Sequence, residues 1–381
     1  MSFSIRIGVV GTGFIAGSLI RLIQNKENYQ LTSILTRRDI STSVNFPGSE
    51  IATNSIHEFI DKVDLIIECS GTVNHATEIV NAAVEASLPV ITMNSEFHTT
   101  TGSYFADKLY LSEAEGDQPG CIAALHEESI KMGFTPLVLG NFKGFLNTNP
   151  SIEDMQHWSE IQGITIKQTT SFTDGTKVQI EQAFVANGLG GTILEAGLTG
   201  PKSDDYVATA KDLAKTADGI GQPVSDYIIS DTGLPAGIFI AAKHNNQENK
   251  ALQYYKLGEG PYYVLTKNFH LCAFEILKTV DRYLLGLPPL LNNSTSPNVS
   301  IASIAKRDLS AGDSIASGIG GFEVRGEAIL LSENTPHVPI GILENATVTR
   351  KIEAGTVLTY DDIELEPSLA LDITQKIFKE K

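Results

Sequence analysis

The sequence predicts an α/β protein: a doubly wound parallel sheet of the Rossmann kind, then a central α/β domain, then a β-rich C-terminal module. Three observations predict it. A glycine-rich turn near the start stands between an apolar strand and an amphipathic helix. Apolar strands then alternate with helices through the first third of the chain, the pattern of a parallel sheet with helical crossovers. Near the C-terminus a short strand–turn pattern occurs twice. These patterns place domain boundaries at 1–140, 141–296 and 297–381, with "LPPLLNNSTSPN" (287–298) as the best linker.

The first element is "SIRIGVVGTGFIAGSLIRLI", where Gly11, Gly13 and Ala16 match G-x-G-x-x-A. In that motif the first glycine makes the tight turn, the second lets backbone approach a pyrophosphate, and the third small residue lets helix and strand pack closely. The pyrophosphate sits on the N-terminus of the next helix, here at Phe14 and Ile15, where free N–H groups and the helix dipole meet it. The second strand, "YQLTSILTRR", ends without the acid that grips the ribose 2′-hydroxyl of NAD. Thr36, Arg37 and Arg38 stand there, and arginines accommodate a 2′-phosphate, so NADP (as NADPH) is expected rather than NAD. The bland alternative is a solvated basic loop. "VDLIIECSG" is a further buried strand ending at Ser70 and Gly71. After "HATEIVNAAVEASLPVITMNSE", a helix and a strand, Asn94 and Glu96 lie beyond a carboxyl end, where such sheets bind ligands; Glu96 also reads as an ordinary helix-start acid.

Composition sets the outer bounds. With 381 residues, 42% hydrophobic and 19% charged, the chain is long enough for two or three cores. A net charge of −17 argues against nucleic acid and against a polybasic membrane contact. Cys69, Cys121 and Cys272 form no CxxC pair and suit a reducing compartment. With no signal peptide or transmembrane-length apolar run, a cytoplasmic location is expected.

Chemistry is expected in the middle. "LSEAEGDQPGC" breaks the alternation with polar and turn residues and offers Asp117 and Gln118 to a substrate. "PLVLGNFKGFLN" reads as a strand delivering Asn141 and Lys143 between glycines. In "TSFTDGTKVQIEQAFVANG", Asp174, Lys177 and Glu181 follow at spacings that share one helical face. The helix is apolar around that polar stripe, so the stripe is expected to face a partner or cavity rather than bulk water. "YYKLGEGPYYVLTKNFHLCAFEIL" reads as a hairpin around a glycine turn, with Lys256 and His270 as substrate candidates; a lone histidine is more often structural. No HExxH or dense metal spacing occurs, and a divalent metal is unsupported. Last, "RDLSAGDSI" (307–315) and "RKIEAGTVL" (350–358) repeat one strand–turn unit, a compact β module with internal pseudo-symmetry.

Taken with the glycine turn, "EGDQPG", "GNFKG", "TSFTDGTK", "EQAFVANG", "YKLGEGPYY", "HLCAFE", "AKRDLSAGD", "GIGGFEVRG" and "AGTVLTYDDIEL" stand in order from about residue 5 to residue 367. In these motifs the chain resembles the homoserine-dehydrogenase-like NAD(P)-dependent oxidoreductases with a C-terminal SAF domain. That family includes 1-deoxy-D-xylulose 5-phosphate reductoisomerase-like enzymes of isoprenoid precursor synthesis. The resemblance implies a Rossmann domain, a catalytic domain and the SAF β module. The reaction expected is hydride transfer between a nicotinamide and a carbonyl or hydroxyl of a small polar metabolite, phosphorylated or not. Lys177 is the first proton donor to consider and Lys143 the second, with Asp174 and Glu181 holding the ammonium. A phosphate would be met from among Lys143, Lys256, Lys306, Arg307 and Arg325. A homo-oligomer is expected. The rival reading is a non-catalytic NADPH-binding sensor or scaffold.

Overall fold

The computed structural model describes residues 4–42, 45–230, 237–333 and 336–379. The chain forms two compact units: one takes residues up to Gly120, 270–295 and those from Leu369 onward, the other takes 121–269 and 296–368. Residue 140 thus lies inside a strand of the second unit, and the C-terminal strands pack in that same unit.

The first unit holds a six-stranded sheet of Ile5–Val10 (β1), Tyr29–Leu35 (β2), Ala52–Thr53 (β3), Leu65–Glu68 (β4), Val90–Thr92 (β5) and Leu111–Glu113 (β6), in the order β3-β2-β1-β4-β5-β6. Every pairing is parallel. Chain direction across the sheet reverses between β1 and β4, the crevice where doubly wound sheets take their ligand. The pleat sends Ile7 and Val9 to one face and Val10 to the other. The first face is covered by Leu19, Ile20 and Ile23 of the Phe14–Gln24 helix and by Ile276 and Val280 of the Cys272–Leu284 helix. Ile79 and Val80 of the Val73–Glu85 helix cover the second, joined by Ile373 of the Leu369–Lys379 helix. Each such side chain, fully buried, contributes about 1.5–3 kcal/mol.

Between β5 and β6 a π-helical turn, His98–Gly102, buries His98 with its Nε2 3.3 Å from Glu113 Oε2. Burial lowers the His98 pKa to about 3. The native unit therefore keeps the imidazole neutral, while the unfolded chain takes up a proton near about pH 6.5. Because the unfolded state binds the extra proton, this stability is fully present above about pH 6.5 and is lost progressively as pH falls toward 3. Urea midpoints are expected to fall between about pH 7 and about pH 5, and less steeply in His98→Gln. Equal slopes for the two proteins would clear His98 of this role.

The second unit is built on a mixed sheet of Thr135–Lys143 (β7), Val224–Ile229 (β8), Ile238–Lys243 (β9) and Tyr262–Lys267 (β10), in the order β10-β9-β7-β8. β7 and β8 are parallel; the other pairs are antiparallel. Val138 and Phe142 of β7 pack under the Tyr206–Ile220 helix through Ala210 and Ala214. Leu139 points the other way, packing with Val185 of the Thr176–Gly188 helix, and by the period of two Asn141 and Lys143 share its face.

The hairpin expected around the glycine turn does not form. Asn249–Tyr254 is helical, and only β10 is a strand, paired with β9. Leu252 turns inward while Tyr254 and Tyr255 face solvent. A strand would have put 252 and 254 on one face.

The C-terminal strands are Val299–Ala305 (β11), Ser314–Ser317 (β12), Val324–Leu330 (β13), Glu344–Val348 (β14) and Ile363–Glu364 (β15). β11 pairs with β13, and β14 lies between β12 and β15, all antiparallel. The two sequence repeats bond to each other: Leu309 and Ile352 exchange N–H···O bonds of 2.9 Å each. The turn glycines behave alike. Gly312 N–H donates to Val348 O and Gly355 N–H to Ala305 O, both at 2.8 Å, and both glycines hold left-handed φ (+92° and +83°).

Candidate functional site

In the first unit, β1 is followed by Gly11, whose N–H donates to Leu35 O at 2.9 Å and whose φ is +109°. A Cβ there would stand 2.8 Å from the Cys69 carbonyl oxygen. Gly13 is the N-cap of the Phe14–Gln24 helix, and a Cβ at Gly13 or at Gly71 would meet nothing within 4 Å. That open space adjoins a cavity of about 220 Å³ lined by Gly11, Thr12, Gly13, Thr36, Arg37 and Arg38 from beyond β1 and β2, with Ser70 from beyond β4. Phe14 is largely solvent-exposed, and Ile15 packs on the core.

The rim after β2 is held by its own polar groups. Thr12 and Thr36 hydroxyls lie 3.2 Å apart, and Asn54 Nδ2 donates to the carbonyl oxygens of Thr36 (2.5 Å) and Arg38 (2.9 Å). Asp39, the nearest acid, is turned into its own loop, where it accepts from the Ser41 N–H and hydroxyl. On the far side Glu68 Oε1 accepts from Ser70 N–H (2.6 Å) and Oε2 from the Thr92 hydroxyl (2.9 Å). His75 also lines the cavity; burial and then the Arg37 charge lower its pKa, so its ring is neutral at neutral pH. The cradle fits a dinucleotide: a glycine turn, an uncrowded helix start and a basic rim converge on one cavity.

Asn94 caps the short Ser95–Phe97 helix, accepting from Phe97 N–H at 3.0 Å and donating to Thr72 O at 3.4 Å. Glu96, half-buried, sits in the first turn of that helix; neither residue is among those lining the cavity. Asp117 and Gln118 are buried, and Gln118 opens the Gln118–Lys131 helix rather than staying in a loop. Nearby, Lys278 bridges Glu115 (2.7 Å) and Glu275 (2.8 Å). His270 is half-buried in this first unit.

In the second unit one buried carboxylate gathers three of the sequence candidates. Glu181 Oε2 accepts from Asn141 Nδ2 at 3.1 Å and from Lys143 Nζ at 3.4 Å, and Oε1 lies 4.0 Å from Lys177 Nζ. The Lys177 side chain is 12% exposed and that of Glu181 3%. β7 supplies Asn141 and Lys143; the Thr176–Gly188 helix supplies the other two, at i and i+4. That helix is buried nearly all round, and other polar side chains on it hold neighbouring elements: Gln182 Nε2 donates to Asp226 O and its Oε1 accepts from the Ser225 hydroxyl, and Asn187 Oδ1 accepts from Asn298 and Val299 N–H.

Asp174 departs from the expectation. It is the C-cap of the Ile166–Thr173 helix, and left-handed Gly175 (φ +86°) separates it from the helix that carries Lys177 and Glu181. The three therefore do not share one helical face. Its partner is Lys306, 2.6 Å away with both side chains fully buried. Burial raises the Asp174 pKa, opposed by the Lys306 ammonium. The phosphate candidates are otherwise engaged or outlying. Arg307 faces Glu323 and Asp313, Arg325 pairs with Glu327 at 2.7 Å, and Lys256 is exposed just past the Asn249–Tyr254 helix.

Sequence reasoning missed Thr12, Cys69 and His75 in the nucleotide cavity, although all three flank the motifs that placed it. It also missed a cavity of about 610 Å³ in the second unit, where Phe145, Trp158 and Phe172 meet Asn147 and Asp154. Trp158 is the chain's one tryptophan, a signal left unused.

The Rossmann cradle, together with the family models matched by the two parts of the chain, places it among NAD(P)-dependent oxidoreductases. Residues 11–116 match the family model for the homoserine dehydrogenase NAD binding domain, and residues 116–276 match that for the oxidoreductase DRL catalytic domain. No curated protein matches the chain. Among solved structures it is similar to a "probable dehydrogenase" from Thermotoga maritima (15% identity, 76% of this chain and 91% of that one, TM-score 0.44). A second is a myo-inositol dehydrogenase from Corynebacterium glutamicum (14% identity, 75% and 90%, TM-score 0.44). Among the described residues no helix is long and apolar enough to cross a membrane.

Proposed function

We propose that the enzyme transfers hydride between NADPH and a carbonyl or hydroxyl carbon of a small polar metabolite, with Lys177 as proton donor to the substrate oxygen. The observation that carries this reading is the placing of two ammonium groups on one buried carboxylate, Glu181. Carbonyl reduction leaves an alkoxide, which needs a proton as it forms. Glu181 keeps Lys177 charged and oriented, and Lys143 adds a second positive charge that stabilises the oxyanion. Bound NADPH would supply the hydride and rest on the Gly11–Gly13 turn.

The rim supports NADP over NAD: Arg37 and Arg38 line the cavity, while Asp39 is spent on Ser41. A charge-assisted contact of this kind is worth about 1.5–3 kcal/mol. The double variant Arg37→Ala/Arg38→Ala is therefore expected to weaken NADPH binding roughly 10- to 100-fold and leave NADH binding nearly unchanged, as read by calorimetry. Equal losses for both cofactors would remove the 2′-phosphate assignment.

For the substrate, the family resemblance offers a homoserine-type metabolite, with 1-deoxy-D-xylulose 5-phosphate as the alternative. The two ammonium groups that meet the Glu181 carboxylate favour an anionic metabolite. We read the paired C-terminal repeats as the SAF module. Assays of both compounds with both cofactors, followed by nicotinamide absorbance, test the reading. NADPH binding without turnover of either, or of a wider carbonyl panel, would favour the sensor alternative.

A further inference from the structure

We infer that Lys306, on the C-terminal β segment, is a positioning residue that sets Lys177 through Asp174. The inference rests on the proposed role of Lys177. Lys306 directly follows β11, and its buried Nζ lies 2.6 Å from Asp174 Oδ2 and donates to Gly321 O at 2.7 Å. The other Asp174 oxygen, Oδ1, accepts from Thr176 N–H at 2.8 Å, the first residue of the helix bearing Lys177. Only Gly175, in the left-handed conformation, links the two, and its carbonyl oxygen accepts from Gln179 N–H at 3.0 Å, so a shift at Asp174 is passed directly to the first turn of the helix.

The same β segment then grips the helix further along. Gly326 N–H donates to the Thr176 hydroxyl and Ala328 N–H to Gln179 Oε1, each at 2.9 Å. Those two contacts fix distance to β13. The Asp174–Lys306 pair adds a charge-assisted anchor at the helix start, one residue from Lys177. Removing the ammonium leaves a buried carboxylate without its counter-charge. That carboxylate must take up a proton or move toward water, and either change weakens its hold on Thr176 N–H.

The test is pulse acetylation of the full chain with acetic anhydride, quantified at each lysine by mass spectrometry, on wild type, Lys306→Met and Lys306→Arg. Lys177 is expected to label severalfold faster in Lys306→Met, with a smaller change at Lys143 on β7 and recovery in Lys306→Arg. Lys306→Gln, which keeps a donor for Gly321 O but no charge, replaces Lys306→Met if that variant does not fold. An unchanged Lys177 rate, or an equal rise at both lysines, would overturn the inference. Failure of the acid role is a separate result: Lys177→Ala turning over normally while the labelling contrast stands.

Discussion

Lys177→Ala is expected to lose about 10²- to 10⁴-fold in kcat, the usual worth of a positioned proton donor, with its NADPH Kd unchanged. The retained affinity follows from placement. Lys177 belongs to the second compact unit, whereas the nucleotide cradle from Gly11 to Arg38 is built wholly within the first. On the proposed mechanism the loss in kcat follows from the missing ammonium, which the Glu181 side chain does not replace as proton donor to the substrate oxygen. On the same mechanism Lys143, held by the same carboxylate, would partly neutralise the alkoxide, so some turnover is expected to remain. Lys177→Arg should not rescue, since a guanidinium is a far weaker acid and needs more room. Steady-state kinetics with matched cofactor titrations check this. Undiminished turnover in the alanine variant would take Lys177 out of the mechanism.

Gly11→Ala is expected to weaken NADPH binding roughly 10- to 100-fold, the equivalent of about 1.5–3 kcal/mol in lost hydrogen bonding to a charged phosphate. The cause is steric. At φ +109° an L side chain is strained, and the new Cβ would press to 2.8 Å on the Cys69 carbonyl oxygen, a backbone atom with little freedom to retreat. Relief requires the turn to shift, which carries the start of the Phe14–Gln24 helix away from its ligand. A non-Gly residue held in such a region costs about 1–3 kcal/mol, so a fall in thermal midpoint should accompany the loss. Gly13→Ala, whose Cβ meets no protein atom, should instead leave stability nearly intact while still crowding the nucleotide. Wild-type NADPH affinity in Gly11→Ala would contradict this account of the cradle.

The order of residues along the chain was enough to bring the glycine turn and the basic rim to one cavity, and to show the repeated turn. Gly11, Gly13, Thr36 and the two arginines lie at the ends of adjacent strands, so local pattern plus the parallel-sheet rule brings them together. Lys177 and Glu181 were legible because one helical turn joins them. Lys306 was not legible as the partner of Asp174, nor was the break at Gly175 that separates Asp174 from the helix. Likewise the spacing of the two repeats is visible in sequence, while their pairing through Leu309 and Ile352 is not.

The difference is one of range. Periodicity and turn chemistry report on neighbours within a few residues, and they settled the fold class, the glycine turn and the lysine–glutamate step. Which distant ammonium fills a buried carboxylate, and which helix end a β segment holds, depends on how whole elements pack. Burial then makes that pairing matter, because a carboxylate with no water must find its counter-charge wherever the fold delivers one.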